Sequence, residues 1–424
     1  MSLLKHLLAT GGVAVFAASC LAQNWPQWRG PTGDGNVPAQ AIPQAWDNET
    51  NVKWRMPLAQ PGNGSPIVAN GRVFLTMRED DEGRGRSLYC FDQRTGRQLW
   101  VDTVTIDRAM PTHQTNPHCS TTPACDGERV VVWHASAGLL CYDLDGKKLW
   151  QRDLGEFRHE WGHGTSPVLH DGKVILHTGP GAESFVAAFD ATSGDTIWKT
   201  VEPSMLTEEQ IKKKRLAGSW CTPLVHRVGD RDLVLCGQPT RVVAYDVQNG
   251  KIVWWCNGIS SKNGNLTYSS PVVAGDVCMI AGGYNGPLVG VRMDGSGDIT
   301  ATHRAWYHEE TITNCASGMF ANGAIFIPEM GGFVQCIDPA NGKTTWRERV
   351  GRGNSWGSIL QIQGKLYMTN QKGTTYVFEP NADKLVMLAT NALGETTNAT
   401  PAIAGGEIFM RTHEHLYCIA GKPE

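Results

Sequence analysis

Polar and aromatic residues of types suited to ligand binding recur just before a series of short apolar segments. Amides and imidazoles can orient a polar ligand, and indole faces can stack on a planar one. The same residues can instead cap turns and satisfy the ends of buried strands, so both interpretations stay open. The candidate ligand-binding residues are Asn116, His118, His159, Trp161, His163, Trp220, Asn265, Tyr268, Asn314 and Trp356.

Four histidines lie in two of these stretches, which raises the question of a metal site. They are His113, His118, His159 and His163. A structural zinc site takes about four ligands with a supporting second shell, and no compact spacing of the strong zinc type is present. The sequence therefore predicts no metal site.

An internal repeat runs through most of the sequence, and it determines where these residues lie. Each copy opens with a small residue, often followed by proline, and continues as two β-rich runs around a glycine-containing turn, which is typical of a hairpin. The eight openings are Ser65-Pro66, Thr122-Pro123, Ser166-Pro167, Thr222-Pro223, Ser270-Pro271, Ser317-Gly318, Gly357-Ser358 and Thr400-Pro401.

Each copy then ends in a third strand, a turn and a tryptophan. The aspartate of the turn can accept backbone N–H bonds, and the glycine can adopt a positive φ. The tryptophan is predicted to pack against the neighbouring copy. The pattern occurs at Asp92/Gly96/Trp100, Asp143/Gly146/Trp150, Asp190/Gly194/Trp198, Asp246/Gly250/Trp254 and Asp338/Gly342/Trp346, whereas Asp294-Gly295 reaches Trp306 by a longer path and Glu379 has no following Trp.

These features predict an all-β fold, an eight-bladed β-propeller of four-stranded blades over residues 50–420. The last copy stops at Cys418 without its final strand, while Trp54 lies in such a strand with no copy before it. The strand of Trp54 is therefore expected to complete the last blade, which removes an open edge. Residues 23–49 are predicted to form an extended N-terminal segment.

The small-Pro start, the glycine hairpin and the Asp-x-x-x-Gly-x-x-x-Trp ending resemble the pyrroloquinoline quinone (PQQ) type of propeller repeat. That repeat occurs in quinoprotein alcohol dehydrogenases and in BamB-type lipoproteins of outer-membrane assembly. The opening Trp25-Pro26-Gln27-Trp28-Arg29-Gly30-Pro31 is similar to that of exported bacterial PQQ-like repeat proteins. The resemblance specifies the architecture and leaves the function open.

For a dehydrogenase, the resemblance implies PQQ with a Ca²⁺ held by acidic and amide side chains, a catalytic Asp and usually a vicinal cysteine pair. No two cysteines are adjacent here, and the acids expected near the mouth are chiefly Glu160 and Glu329. No Cys-x-x-Cys-His haem site is present either. No cofactor is therefore expected, and PQQ with Ca²⁺ belongs only to the alternative hypothesis.

The first residues predict export. Lys5 precedes an apolar run over 7–18, too short to span a bilayer, so residues 1–22 are interpreted as a signal peptide. Cys20 gives a weak lipoprotein signal that competes with cleavage after Ala22. With a net charge of −3 over 424 residues, no global field attracts nucleic acid.

The cysteines are mostly interpreted as buried fillers. Cys90, Cys141, Cys336 and Cys418 share one place in the repeat, where other copies have Ala or Gly. Cys119 and Cys125 are close enough in sequence to form a disulfide. One insertion, 207–215, has favourable i,i+4 charge pairs and predicts a short surface helix or a lid over the mouth.

Three functions follow from these observations. The first is a non-catalytic binding or scaffold module of the periplasm or cell envelope, BamB-like, with envelope proteins or a small polar ligand as partners. The second is a PQQ-dependent dehydrogenase of an alcohol or sugar. The third is carbohydrate binding through Trp161, Trp220 and Trp356.

Overall fold

The computed structural model describes residues 24–37, 40–181, 184–202, 209, 216–309, 311–312 and 315–421. The predicted signal peptide with Cys20, the predicted helix over 207–215 apart from Glu209, and the candidate Asn314 lie outside the described residues.

Eight antiparallel sheets arranged in chain order form the blades, which confirms the eight-bladed propeller. Strand β1 (Val52–Pro57) comes first in the chain but belongs to the last blade. Blade 1 contains β2 (Ile67–Ala69), β3 (Arg72–Arg78), β4 (Gly85–Asp92) and β5 (Gln98–Thr105). Blade 2 contains β6 (Ala124–Cys125), β7 (Arg129–Trp133), β8 (Leu139–Asp143) and β9 (Lys148–Arg152), with a short 3₁₀ helix at Ala135–Ala137. Blade 3 contains β10 (Val168–His170), β11 (Lys173–His177), β12 (Phe185–Asp190) and β13 (Thr196–Val201).

The next three blades follow the same order with two additions. Strand β14 (Ala217–Ser219) precedes blade 4, which contains β15 (Leu224–Val228), β16 (Arg231–Gly237), β17 (Arg241–Asp246) and β18 (Ile252–Asn257). Strand β19 (Asn265–Thr267) pairs in parallel with β14. Blade 5 contains β20 (Val272–Ala274), β21 (Val277–Ala281), β22 (Leu288–Arg292) and β24 (Arg304–His308), and β23 (Gly297–Asp298) pairs in parallel with β18 of blade 4. Blade 6 contains β25 (Met319–Ala321), β26 (Ala324–Glu329), β27 (Phe333–Ile337) and β28 (Thr344–Arg349).

The last two blades close the circle. Blade 7 contains β29 (Leu360–Ile362), β30 (Lys365–Thr369), β31 (Thr374–Phe378) and β32 (Met387–Ala392). Blade 8 contains β33 (Ala402–Ala404), β34 (Glu407–Arg411), β35 (His415–Ala420) and, as its outermost strand, β1. Trp54 of β1 lies opposite Cys418 of β35, so the predicted closure is confirmed.

The core is a series of buried apolar clusters at the seams between neighbouring blades. Ile67 of blade 1, for example, belongs to one cluster with Val130 of blade 2, and Ile175 of blade 3 to another with Val234 of blade 4. The repeated cysteines Cys90, Cys141, Cys336 and Cys418 are fully buried among these residues, as predicted. Burial is thus distributed around the ring, with each blade dependent on its neighbours.

The repeated tryptophans form the outer part of these seams. Six of the seven donate the Nε1–H to a backbone carbonyl of the next blade at 2.8–3.0 Å, in the pairs Trp54–Gln93, Trp100–Leu144, Trp150–Ala191, Trp198–Val247, Trp306–Pro339 and Trp346–Asn381. The turn glycine lies against the ring: Gly194 has a φ of +75°, and a Cβ there would be 2.7 Å from the Trp150 ring. The predicted packing role of the tryptophans is confirmed.

Trp254 departs from this rule because blade 5 lacks the regular turn. Its ring is fully buried, but its Nε1 has no hydrogen-bond partner in the described part of the chain. Instead, the longer path before Trp306 brings Gly297 beside Trp254 through the parallel β18–β23 pairing. The insertion in the degenerate copy therefore covers the edge of blade 4.

The disulfide predicted between Cys119 and Cys125 is wrong, since both are free, buried thiols. Their sulfur atoms have different neighbours. Cys125 Sγ accepts the Gly127 N–H at 3.3 Å, whereas Cys119 Sγ lies 3.9 Å from Nδ1 of His134.

Candidate functional site at the channel mouth

One serine or threonine from the opening pair of each copy contributes to a ring around the channel, called here the hydroxyl ring. Its members are Ser65, Thr122, Ser166, Thr222, Ser270, Ser317, Ser358 and Thr400. At seven of the eight joints the backbone N–H of one member donates to the side-chain oxygen of the next at 2.9–3.2 Å. At the eighth joint, Ser270 Oγ donates to the Thr222 carbonyl at 2.6 Å. The small polar start of the repeat thus links the blades around the axis.

A cavity of about 370 Å³ lies at the end of the channel where the innermost strands begin, called here the mouth cavity. It is lined by Trp28, Asn63, Ser65, His113, Thr115, Asn116, Ser120, Thr122, Trp161, Gly164, Ser166, Trp220, Thr222, Tyr268, Tyr284, Cys315, Trp356, Asn398 and Thr400. Its size falls in the range of about 300–1,000 Å³ usual for small-ligand pockets.

The N-terminal segment closes the channel from the opposite end. The segment over 24–37 follows the far ends of the inner strands: Trp25 exchanges backbone hydrogen bonds with Val68, and the Val37 N–H donates to the Gln361 carbonyl. From there Trp28 reaches the mouth cavity as part of its lining. The Trp25–Arg29 motif therefore contributes one residue, Trp28, to the lining of the cavity.

Arg29 lies beside Trp28 and is buried without an ion pair among the described residues. Its guanidinium carbon is 5.6 Å from the Trp28 ring centroid, and its Nη2 donates to the carbonyls of Asp34 and Gly318, both at 2.7 Å. Among the same residues, Nε and Nη1 of Arg29 have no hydrogen-bond partner. Burial lowers the pKa of Arg29 to about 10, so it remains a cation at neutral pH.

Four rings form one side of the mouth cavity, called here the aromatic wall: Trp161, Trp220, Tyr268 and Tyr284. The Trp161 and Tyr284 rings are stacked, 19° apart in plane with centroids at 6.2 Å, and Trp220 lies 5.3 Å from Tyr268. Trp220 is fixed by donating its Nε1–H to the Gly162 carbonyl at 3.0 Å. Blades 3 to 5 thus contribute a preformed aromatic surface.

A directed chain of side-chain amides, called here the amide chain, runs around the other side. Gln371 donates to Asn398 at 2.8 Å, Asn398 to Asn63 at 3.0 Å, and Asn63 to Asn116 at 3.3 Å. Asn116 then donates to the Trp161 carbonyl at 2.7 Å. The chain fixes each amide's orientation and connects the loops of blades 7, 8, 1 and 2 to the aromatic wall.

Five of the ten candidate residues from the sequence line the mouth cavity together: Asn116, Trp161, Trp220, Tyr268 and Trp356. Trp356 Nε1 is buried and has no hydrogen-bond partner within the residues that the structure describes. The spacing before each blade placed these residues correctly at one end of the channel because every blade begins there.

One of the candidate histidines, His159, supports the aromatic wall, and a second, His163, packs against Phe157. His159 packs edge-on against Trp220 at 4.9 Å, and its Nδ1 accepts the Trp161 N–H at 3.1 Å. His163 lies edge-on to Phe157 and contacts the Phe157 carbonyl through Nε2 at 3.1 Å. Burial lowers the pKa of His163 to about 3, which keeps the ring neutral.

The remaining candidates lie elsewhere or outside the described residues. His118 is buried beside Gly83 and Arg86, and Asn265 is buried in the β14–β19 pair. Neither lines the cavity.

Sequence reasoning missed Trp28 and Tyr284 as lining residues. Tyr284 lies between β21 and β22 with a φ of +56°, an uncommon conformation for a tyrosine, and its neighbour Asn285 has a φ of +61°. The sequence signal that was available is the Gly282-Gly283-Tyr284-Asn285-Gly286 turn, which is rich in residues that tolerate positive φ.

The described lining of the mouth cavity contains no Asp, Glu, Lys or Arg. The expected acids are elsewhere: Glu329 accepts from Arg347 at 2.6 Å, and Glu160 is exposed away from the lining. PQQ is a planar quinone with three carboxylates, which calls for cationic partners and, for its Ca²⁺, carboxylate ligands. The described residues of the cavity do not fit that group.

One group of metal-compatible side chains exists among the described residues, at Glu395, Glu414 and His415. Glu395 already accepts from Thr412 at 2.6 Å, from Tyr417 at 2.6 Å and from His415 at 2.9 Å. Through these bonds the cluster links the loops of blades 7 and 8, and this structural role explains why the three side chains lie together.

Comparison with known proteins agrees with this architecture. The family model described as outer membrane protein assembly factor BamB matches residues 44–122, 84–329 and 330–420. The chain belongs to this family. A BamB of Burkholderia pseudomallei (strain K96243) is 22% identical over 431 residues, covering 98% of both chains. A BamB of Moranella endobia (strain PCIT) is 23% identical over 368 residues, covering 82% of both.

Two solved structures show the same fold as this BamB-family chain. BamB from Moraxella catarrhalis aligns with a TM-score of 0.62 at 14% identity, covering 87% of this chain and 99% of that one. A quinohemoprotein alcohol dehydrogenase from Comamonas testosteroni aligns with a TM-score of 0.68 at 14% identity, covering 98% and 83%. The described part of the chain forms no helix with the length and apolar character needed to cross a bilayer.

Proposed function

We propose that this protein is a non-catalytic binding module of the periplasm or cell envelope. The observation that carries the proposal is that the described lining of the mouth cavity contains no Asp, Glu, Lys or Arg. A lining of aromatic, amide and hydroxyl groups is suited to holding a ligand, whereas quinone chemistry needs cationic partners for the PQQ carboxylates and carboxylate ligands for its Ca²⁺.

The family supports protein partners in the envelope. Both curated relatives carry the name outer membrane protein assembly factor, and the chain covers most of their length. By analogy, the faces of the propeller contact envelope proteins of that assembly process. The predicted signal peptide over 1–22 would deliver the protein there; cleavage before Cys20 instead of after Ala22 would leave a lipid on Cys20 to hold it at a membrane.

A dye-reduction assay tests the non-catalytic part of the proposal. Purified protein is mixed with PQQ, Ca²⁺, an artificial electron acceptor and a panel of primary alcohols and aldose sugars. We expect no PQQ-dependent reduction of the dye, because the described lining offers no charged group to PQQ or Ca²⁺. Saturable, PQQ-dependent turnover would overturn the proposal.

Photocross-linking in intact cells tests the partner. A photoreactive residue replaces Tyr284 at the mouth or Tyr307 on an outer strand, since both side chains are exposed. We expect an adduct with an outer-membrane assembly protein from at least one position. Adducts confined to cytoplasmic proteins would contradict an envelope role.

A further inference from the structure

The floor of the mouth cavity presents hydroxyl donors that the protein itself does not use. Ser65, Thr122, Ser166, Thr222 and Thr400 belong to the hydroxyl ring and line the cavity, and each is at most 5% exposed. Each side-chain oxygen accepts one backbone N–H. None of the five O–H groups donates to an acceptor among the described residues. Buried hydroxyls normally donate as well as accept, so this ring is prepared for acceptors from a ligand or from water.

The aromatic wall offers the complementary apolar surface. Trp161 and Tyr284 present nearly parallel rings, and Tyr284 remains 53% exposed beside the cavity. Its left-handed backbone conformation costs on the order of 1 kcal/mol, a kind of strain that collects at functional positions. Packing against the protein therefore covers only part of the Tyr284 side chain, and a stacked ligand would cover the exposed part.

The residues around the mouth cavity limit which charge and polarity its ligand can have. A phosphate or carboxylate would find no cation in the described lining. A cationic ligand would find no carboxylate in that lining. A purely hydrocarbon ligand would leave the five hydroxyl donors and the Trp356 N–H unpaired.

We propose that the mouth cavity binds a neutral carbohydrate, with a sugar ring laid on Trp161 and Tyr284 and its oxygens accepting from the hydroxyl ring. A sugar ring combines an apolar C–H face with several hydroxyl groups, which matches the aromatic wall and the unused donors. This inference rests on the non-catalytic function proposed above, and it specifies the ligand of the same site.

Isothermal titration of the full chain with neutral trisaccharides tests the inference. The probes are maltotriose, cellotriose and N-acetylated chitotriose, and the acidic probe is trigalacturonate. We expect saturable one-site binding of at least one neutral probe and weaker binding of trigalacturonate. Tyr284→Ala should weaken binding by about three- to tenfold, because it removes one stacked ring.

Two variants complete the design. Trp161→Ala should abolish measurable binding, and Tyr307→Ala, which removes an exposed tyrosine from the outer strand β24, should leave it unchanged. Thermal unfolding of each variant verifies that it is folded. The inference is overturned if no neutral probe binds, if trigalacturonate binds more tightly, or if Tyr284→Ala and Tyr307→Ala bind equally well. If one of these results is obtained and PQQ-dependent turnover is absent, the sugar ligand is rejected and the non-catalytic proposal stands. PQQ-dependent turnover would overturn both proposals.

Discussion

The outer seams and the mouth of this propeller are built on opposite rules. At the seams the same tryptophan-to-carbonyl contact recurs from blade to blade, as in Trp100 to Leu144 and Trp150 to Ala191. At the mouth each blade contributes a different loop: amides from some, indoles and phenols from others. Repetition therefore stabilises the ring, and the departures from repetition create the cavity. Substitutions at the seams should change stability, while substitutions at the mouth should change binding.

The largest effect is expected from deleting residues 24–57. This deletion removes β1 from blade 8 and the segment that closes the channel, including the fully buried Trp25 and the docked Trp54. Loss of a buried Trp side chain alone costs about 3–5 kcal/mol, so the whole ring should fail to fold or should lose more than about 5 kcal/mol. Circular dichroism during thermal unfolding measures this.

A single substitution in the same segment serves as the control. Lys53→Ala removes only a solvent-accessible ion pair with Glu407 and should cost less than about 1 kcal/mol. If the deletion variant unfolds only slightly below the intact protein, the closing strand has no global role.

Glycine substitutions at two turns of blade 3 separate the seam contact from backbone strain. Gly194 and Gly172 have φ values of +75° and +68°, but only at Gly194 would a Cβ meet another side chain, the Trp150 ring. We expect Gly172→Ala to cost about 1 kcal/mol from its left-handed backbone and Gly194→Ala about 3 kcal/mol. Denaturant unfolding gives both values, and equal costs would show that the tryptophan contact adds nothing.

Buried histidines at the mouth end of the blades should make the free energy of unfolding depend on pH. Burial, aided by the charge of Arg86, lowers the pKa of His134 to about 3, and burial lowers the pKa of His177 to about 4. Below pH 6.5 the unfolded chain binds protons that these folded histidines do not. The free energy of unfolding should therefore fall as the pH falls from 6.5 to about 4, by at most about 1.4 kcal/mol per histidine per pH unit.

Urea unfolding between pH 7 and pH 4 measures that dependence. His177→Gln keeps hydrogen-bonding capacity toward the Cys221 carbonyl without a titrating ring, so its stability should depend less steeply on pH. An identical slope in the variant would assign the acid sensitivity to other groups.

The smallest effect on stability is expected at the mouth itself. Tyr284 is 53% exposed, so Tyr284→Ala should change the free energy of unfolding by less than about 0.5 kcal/mol. Denaturant unfolding beside Gly194→Ala makes the comparison direct. A loss as large as that of Gly194→Ala would show that the aromatic wall is structural.

The sequence predicted the repeating elements and the residues just before each blade, and it missed lining residues that lie outside those stretches. The small residues before each blade and the closing strand of Trp54 were found because eight copies could be compared. Tyr284 and Trp28 were missed because each reaches the cavity through a contact found in one place, from a glycine-rich turn and from the N-terminal segment. Residue type alone also could not separate a lining residue from a supporting one, so His159 was grouped with Trp161 although it lies behind the wall.

Equilibrium dialysis of the full chain against PQQ with Ca²⁺ distinguishes a neutral binding site at the mouth from a cofactor site. We expect no saturable PQQ binding above that of a Trp161→Ala control. Stoichiometric PQQ uptake that is lost in Trp161→Ala would contradict it, because the quinone would then occupy the same cavity.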